Sequence, residues 1–130
     1  QVIGGLVEPI GLANRITVPS TTIQVDSSQA HYLTLVINEL ATNSLKYAMT
    51  ELNELAIAVA MYVQNDMICL EYRDNGPGYP ERIMNGDLKG SEIGCNLIFG
   101  IVTTSLRGSV IFRNDNGAVT EIRFPQSKIS

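Results

Sequence analysis

Apolar and polar positions along this chain follow two different periods, and the change of period divides the chain into elements. β-Branched residues dominate positions 16–18 and 22–25 on either side of Pro19, which predicts a strand pair or an edge strand. From about residue 29 to residue 49, apolar residues recur at the spacing that is typical of a helix. Asp26 stands just before that segment as a candidate N-cap, which predicts where the helix begins.

Four further strand-like segments predict two hairpins, with a second helix between them. The hairpins join residues 55–63 to 67–73 across 64–66, and residues 109–113 to 118–124 across 114–117. Residues 93–106 have helical periodicity and are followed by Arg107 and Gly108, whereas residues 74–90 are glycine-rich and irregular apart from a short helix at 80–84. This order predicts an α+β fold: a two-layer α/β sandwich with helices packed on one face of a mixed, mostly antiparallel sheet.

The composition indicates one folded domain. The 130 residues are 45% hydrophobic and 17% charged, which is too apolar for a disordered chain. The longest apolar run, residues 55–63, is less than half of the roughly 20 residues that a membrane span needs, and no secretory signal opens the chain. Two cysteines, Cys69 and Cys95, favour a reducing compartment, so we expect a cytoplasmic domain without membrane contact. The net charge of −4 disfavours nucleic acid as a partner.

The beginning of the chain suggests a piece of a longer protein, because the first residue is Gln1 rather than Met. Residues 1–15 are rich in glycine, and we interpret them as a lead-in from an upstream region. Residues 16–130 are then the folded domain.

Four polar side chains of the first helix share one stripe. At 100° per residue, Glu39, Asn43, Lys46 and Tyr47 lie within a stripe about 100° wide, beside the apolar face. Asn38 projects well away from this stripe. The stripe could be no more than a solvated helix face, so a site requires a second element with matching chemistry.

Two glycine-containing loops offer that chemistry. Asp74 ends a buried strand and is followed by Gly76 and Gly78, so a fixed carboxylate adjoins a backbone that a ligand can approach closely. Such a carboxylate suits an exocyclic amine such as that of adenine, although this spacing also occurs in ordinary turns. The loop at 90–94 leads into a helix N-terminus, which favours phosphate if the loop is more than a flexible surface segment.

These pieces, in this order, resemble the GHKL ATPase superfamily of gyrase, the heat-shock chaperone, histidine kinases and MutL. The most similar branch is the ATP-binding catalytic domain of sensor histidine kinases with a short ATP lid (the Bergerat fold). LVINELATNSLKYA at 35–48 resembles its N-box, DNGPG at 74–78 its G1 box, and GSEIGCNLI at 90–98 its G2 region. LRGSVIFRNDNGAVTEIRFP at 106–125 resembles its closing hairpin. The resemblance implies residues 16–130 as the catalytic domain and residues 1–15 as the end of an upstream dimerisation region.

For the adenine end of a bound ATP, the resemblance implies five residues. Asp74 would accept a hydrogen bond from the adenine amino group, and Gly76 and Gly78 would shape that end of the pocket. Thr120 would support the adenine end, often through water, and Tyr47 would pack near the ribose or base.

For the phosphate end, the resemblance implies Mg²⁺ as a second cofactor, with Asn43 as its ligand. Lys46 would reach the phosphates, and Gly94 with its neighbours would cover them. Glu39 would orient or deprotonate the attacking imidazole. Cys95 departs from the usual leucine of this region, which puts the packing of the lid in doubt but leaves the backbone donors in place.

The partners follow from the same resemblance, because no phosphoacceptor stands out in this chain. Its single histidine, His31, lies away from the stripe, and we interpret it as partly buried and structural. The acceptor histidine is therefore expected on a separate dimerisation domain of the same protein, which would be a homodimer that passes phosphate to a response regulator. Two alternatives stay open: an anti-sigma-factor serine kinase of the same fold, and a non-catalytic nucleotide-binding or docking module.

Overall fold

The computed structural model describes residues 16–17, 23, 25–48, 55–88 and 94–127, with residues 16–17 and 47–48 described by their backbone alone. The strands are β1 (Ile16–Thr17), β2 (Ile57–Gln64), β3 (Met67–Asp74), β4 (Ser109–Asn114) and β5 (Ala118–Pro125). The helices are α1 (Ser27–Asn43), α2 (Glu81–Met84) and α3 (Cys95–Gly100). A π-helical turn extends α1 through Ser44–Ala48, and another extends α3 through Ile101–Ser105.

The described strands form one five-stranded sheet in the order β1-β2-β3-β5-β4. β1 pairs with β2 in parallel, and the other three pairs are antiparallel. The interior strands are β2, β3 and β5, and β3 is paired along its length with β2 on one side and β5 on the other. The predicted mixed, mostly antiparallel sheet is confirmed, and so are both hairpins.

The core lies between one face of this sheet and the helices. Buried side chains of α1 and α3 share one apolar cluster with the inward residues of β3 and β5. Because side chains alternate along a strand, Thr120, Ile122 and Phe124 of β5 all face this layer, and all are fully buried. The predicted helices on one face of a sheet are therefore confirmed.

Among the described residues, the opposite face of the sheet carries charged side chains that form ion pairs. Arg73 binds Glu71 at 2.6 Å, and Arg113 binds Glu121 at 3.3 Å. Val119 is opposite Arg73 on one side and Arg113 on the other, and it is fully buried although it points away from the core. We infer that the stems of the two arginines cover it.

The start of α1 has the predicted cap. Asp26 accepts a hydrogen bond from the backbone amide of Gln29 at 2.7 Å, and the Asp26 amide donates one to the side-chain oxygen of Gln29 at 3.3 Å. This reciprocal pair is a capping box, which satisfies two amides that the first helical turn leaves unpaired.

Three predictions need correction where the structure describes the residues. The strand at 22–25 is wrong, because Ile23 and Val25 are buried but lie in no strand, while its other positions lie outside the described residues. Regular α-helix ends at Asn43 rather than continuing to about 49, so 100° per residue does not hold for Lys46 and Tyr47. The second helix is likewise regular only over Cys95–Gly100.

Candidate functional site

The carboxylate of Asp74 is held at the end of β3 by three hydrogen bonds. Its Oδ1 accepts from the backbone amides of Gly76 at 3.0 Å and Ala118 at 3.2 Å, and its Oδ2 accepts from the hydroxyl of Ser44 at 2.9 Å. A carboxylate offers about four acceptor positions. Counting the donors shown here among the described residues, the half-buried Asp74 retains one accepting position, on Oδ2, for a donor from a ligand.

Two glycines allow the backbone around Asp74 to adopt this arrangement. Gly117 has φ +140°, and a side chain there would overlap the carbonyl oxygen of Asp74. Gly78 has φ +90°, and a side chain there would meet the Asn114 amide at 2.7 Å. Gly76 has no positive φ, so its contribution is the amide that binds Asp74. Of the two predicted loop glycines, only Gly78 is required by backbone conformation.

The end of α1 lies directly against this carboxylate. Ser44 is 1% exposed and is the first residue of the π-helical turn, and Asn43 before it is 7% exposed. Among the described residues, Nδ2 of Asn43 has no hydrogen-bond partner. A half-turn of the amide exchanges its nitrogen and oxygen, so this buried position can present an oxygen to a ligand.

Tyr72 extends the contact between helix and strand. Its hydroxyl lies 2.9 Å from Oγ of Ser44, and because Ser44 gives its only proton to Asp74, Tyr72 is the donor to Ser44. Burial raises the pKa of Tyr72, and the charge of Asp74 adds to that effect. Tyr72 therefore keeps its proton at neutral pH.

A second group of residues anchors the loop after Asp74, and of its members only Thr120 was expected from the sequence. The Asn114 side chain accepts from the Tyr79 amide at 2.7 Å and donates to the Tyr79 carbonyl at 3.0 Å. The Tyr79 hydroxyl bonds the hydroxyl of Thr120 at 2.5 Å, and burial raises the pKa of Tyr79. Thr120 is fully buried, and among the described residues it makes no direct hydrogen bond to Asp74.

Glu39 of α1 and Gly94 before α3, both expected at the phosphate end, lie next to each other. Gly94 precedes α3 with φ +69°, and a side chain there would overlap the Glu39 carboxylate. Glu39 is half-buried on α1, so its carboxylate lies against the N-terminal end of α3. Cys95, the next residue, is fully buried in the core.

The remaining predicted residues are less constrained. Lys46 is exposed, and the described residues include no ion-pair partner for it. The side chain of Tyr47 lies outside the described part of the chain. The interpretation of His31 as partly buried is wrong, because it is exposed and packs against the Tyr32 ring at a centroid distance of 5.2 Å.

A metal at this site would depend on few protein ligands. Within the described ranges, no three His, Cys, Asp or Glu side chains are grouped as a metal cluster would require. Mg²⁺ is commonly held by one or two protein oxygens together with phosphate oxygens and waters. The single buried amide of Asn43 fits that mode of binding.

Within the described ranges of the chain, no helix is both long and apolar enough to cross a membrane.

Comparison with known proteins gives one family and several solved structures. A family model described as "Histidine kinase-, DNA gyrase B-, and HSP90-like ATPase" matches residues 28–128. No curated protein sequence matches the chain significantly.

Three similar solved structures are those of histidine kinases or their catalytic domains. The blue-light activated histidine kinase of Erythrobacter litoralis EL346 superposes with a TM-score of 0.79 at 19% identity, over 98% of this chain and 42% of that one. The catalytic domain of histidine kinase ThkA has a TM-score of 0.74 at 13% identity, over 95% of this chain and 87% of that one. The mycobacterial sensor histidine kinase MprB has a TM-score of 0.73 at 18% identity, over 98% of this chain and 93% of that one. At these identities the likeness shows a shared fold, and the chain spans less than half of the Erythrobacter kinase.

Proposed function

This chain belongs to the family of histidine kinase-, DNA gyrase B- and HSP90-like ATPases, and from that premise we propose that it is the ATP-binding catalytic domain of a two-component sensor histidine kinase. It would transfer the γ-phosphoryl group of ATP to a histidine on a separate dimerisation domain. One observation carries the proposal: the Asp74 carboxylate, fixed at the end of β3, retains a single accepting position beside the end of α1.

The adenine end of the site is built around that acceptor. Oδ2 of Asp74 would accept the hydrogen bond of the adenine amino group, and Gly76 and Gly78 would shape the backbone next to it. Thr120 would support this end together with Tyr79, whose hydroxyl it bonds. Tyr47 would pack near the ribose or the base.

The phosphate end would use Asn43, Lys46 and Gly94. Asn43 would hold Mg²⁺ through its amide oxygen, and the ion would neutralise charge on the phosphates when bound. The exposed Lys46 can reach a phosphate without first breaking an ion pair among the described residues. Gly94 and its neighbours would cover the phosphates through backbone amides, which is a favourable role for the start of a helix.

Glu39 is the proposed catalytic residue. Its carboxylate lies against Gly94, so it would face the region where the γ-phosphoryl group meets the incoming histidine. There it would orient the imidazole, or accept its proton as the nitrogen attacks phosphorus and ADP leaves. Transfer of this kind depends mostly on positioning and charge, which agrees with the small number of catalytic side chains.

The partners are part of the same proposal. The phosphoacceptor histidine would lie on a dimerisation domain of the same protein, and the parent protein would be a homodimer. A response regulator would then receive the phosphoryl group. We place the domain in the cytoplasm because its proposed substrate, ATP, is supplied there.

Calorimetry with a non-hydrolysable ATP analogue, with and without Mg²⁺, tests the nucleotide site. Asp74→Asn should abolish the preference for adenine, because the amide replaces an acceptor with a donor at the amino group. Asn43→Ala should abolish the dependence of binding on Mg²⁺. Asp66→Asn, at the opposite end of β3, is the matched control and should bind as the wild type does. Unchanged binding by Asp74→Asn would contradict the proposal.

A further inference from the structure

Three side chains connect the end of α1 to the end of β3 in one directed series of hydrogen bonds. Tyr72 donates to Ser44 across 2.9 Å, and Ser44 donates to Oδ2 of Asp74 across 2.9 Å. Tyr72 is 2% exposed and Ser44 1% exposed. Burial of the two hydroxyls restricts their choice of partner, so the direction of donation is fixed by the protein itself.

This series determines how Asp74 can meet a ligand. Oδ1 is occupied by the amides of Gly76 and Ala118, and Ser44 occupies one of the two accepting positions of Oδ2. With both oxygens held, the carboxylate cannot rotate about its Cβ–Cγ bond without breaking a hydrogen bond. What remains is one acceptor of fixed direction, which binds a donor and repels another acceptor.

Purines differ at the atom that would meet this acceptor. A 6-amino purine presents a donor there, whereas a 6-oxo purine presents an acceptor. A site with one acceptor of fixed direction discriminates between them, because the wrong base leaves that acceptor unpaired once the base has displaced water. The strength of that discrimination depends on how firmly the carboxylate is held.

On the premise of the proposed nucleotide site at Asp74, we propose that Ser44, held by Tyr72, is a positioning residue that sets the selectivity for 6-amino over 6-oxo purine nucleotides. Ser44 acts on the nucleotide only through Asp74. Without the Ser44 hydroxyl, the accepting position of Oδ2 that it occupied is open to water, while the Gly76 and Ala118 amides still hold Oδ1. A water bound to Oδ2 can present a donor to a 6-oxo group. The preference for 6-amino over 6-oxo purines is then lost, while the site still binds nucleotide.

Calorimetric titration of ADP and inosine diphosphate into the same variants tests this role. Ser44→Ala should weaken ADP binding about ten-fold, because the acceptor that meets the amino group is no longer held in place before the nucleotide binds, and should leave inosine diphosphate binding within about two-fold. Tyr72→Phe should shift the ADP-to-inosine-diphosphate affinity ratio in the same direction by about three-fold, because Ser44 keeps its bond to Asp74 but loses its own support. Thr34→Val is the matched control, because in the described part of the chain its hydroxyl bonds the Ala30 carbonyl of its own helix and no group of the site; its ratio should not change.

The ADP-to-inosine-diphosphate affinity ratio distinguishes a positioning role of Ser44 from general damage to the nucleotide site. An equal loss of affinity for both nucleotides in Ser44→Ala, or no loss for either, would overturn the inference. If Ser44→Ala does not fold, as judged by circular dichroism, Tyr72→Phe decides, and an unchanged ratio there overturns the inference.

Asp74→Asn separates this inference from the proposed function. Loss of adenine preference in Asp74→Asn with an intact ratio in Ser44→Ala would overturn the role of Ser44 alone. Wild-type binding by Asp74→Asn would overturn the proposed site together with it.

Discussion

Substitution of Gly94 by alanine should be unusually costly, because two separate effects act at that residue. The backbone has φ +69°, a conformation that costs an L-residue about 1–2 kcal/mol. The new methyl group would also overlap the Glu39 carboxylate, and its distance to Cγ of Glu39 would be 3.1 Å. Displacing a half-buried side chain adds about 1 kcal/mol, so Gly94→Ala should lower the free energy of unfolding by about 2–3 kcal/mol.

Two other glycines separate these contributions. Gly86 also has a positive φ, +88°, but a methyl group there would meet nothing within 4 Å. Gly86→Ala should therefore cost about 1–2 kcal/mol from backbone conformation alone. Gly100 lies in α3 with φ −62° and is likewise unobstructed. Gly100→Ala should stabilise the domain by about 0.5–1 kcal/mol, because alanine loses less backbone entropy in a helix.

Urea unfolding followed by circular dichroism measures the free energy of unfolding of all three variants. A double variant then isolates the contribution of the Glu39 carboxylate. Glu39→Ala in the Gly94→Ala background should restore about 1 kcal/mol relative to the sum of the single substitutions. The reasoning is refuted if Gly94→Ala costs no more than Gly86→Ala. It is equally refuted if Gly94→Ala and Glu39→Ala are additive, because the two side chains would then not be in contact.

Further predictions concern the loop anchor, the helix cap and the core. Asn114→Ala removes both hydrogen bonds to the Tyr79 backbone and should cost about 2 kcal/mol in urea unfolding, with a smaller loss for Asn114→Asp, which retains an acceptor. The pKa of Asp26 lies below its ordinary value of 3.8, chiefly because the Gln29 amide donates to it. The difference in free energy of unfolding between the wild type and Asp26→Asn should therefore be constant above about pH 4 and shrink as the pH falls through the lowered pKa. Urea unfolding at a series of pH values measures this difference. An unchanged difference below about pH 4 would contradict the prediction. Phe124→Ala, at a fully buried position, should cost about 3–5 kcal/mol by thermal or urea unfolding, and a loss below 1 kcal/mol would exclude its place in the core.

The elements with local signals could be predicted from the sequence. Asp26 and Gln29 form the predicted start of α1 because a capping box depends only on residues three apart. The hairpin turn at Asn65 and Asp66 has two positive φ angles, 53° and 62°, which polar turn residues tolerate. The strand expected at 22–25 failed because β-branched composition does not decide whether a partner strand is present.

The candidate site was only partly predictable, because its contacts are tertiary. Asp74 is predictable from its position after a buried strand, but no local signal in the sequence points to Ser44. Nothing in helical periodicity reveals the π-helical turn that begins at Ser44, and it is there that the expected 100° spacing ends. From the sequence, Asn114 is only a residue of a predicted hairpin turn. Its bonds to Tyr79 join positions 35 residues apart, and such a contact leaves no local signal in the sequence.

The arrangement around Asp74 explains how a site with so few charged groups can be selective. Each hydrogen bond to the carboxylate comes from a different part of the fold: the loop after β3, the first residue of β5, and the end of α1. These donors are in place only when the sheet and α1 have packed, so the orientation of the carboxylate is established by folding and not by the ligand. A preorganised acceptor needs no rearrangement when a base arrives, and it cannot turn away from a base with the wrong group. Selectivity at this position therefore depends on the packing of α1 against β3 as much as on Asp74 itself.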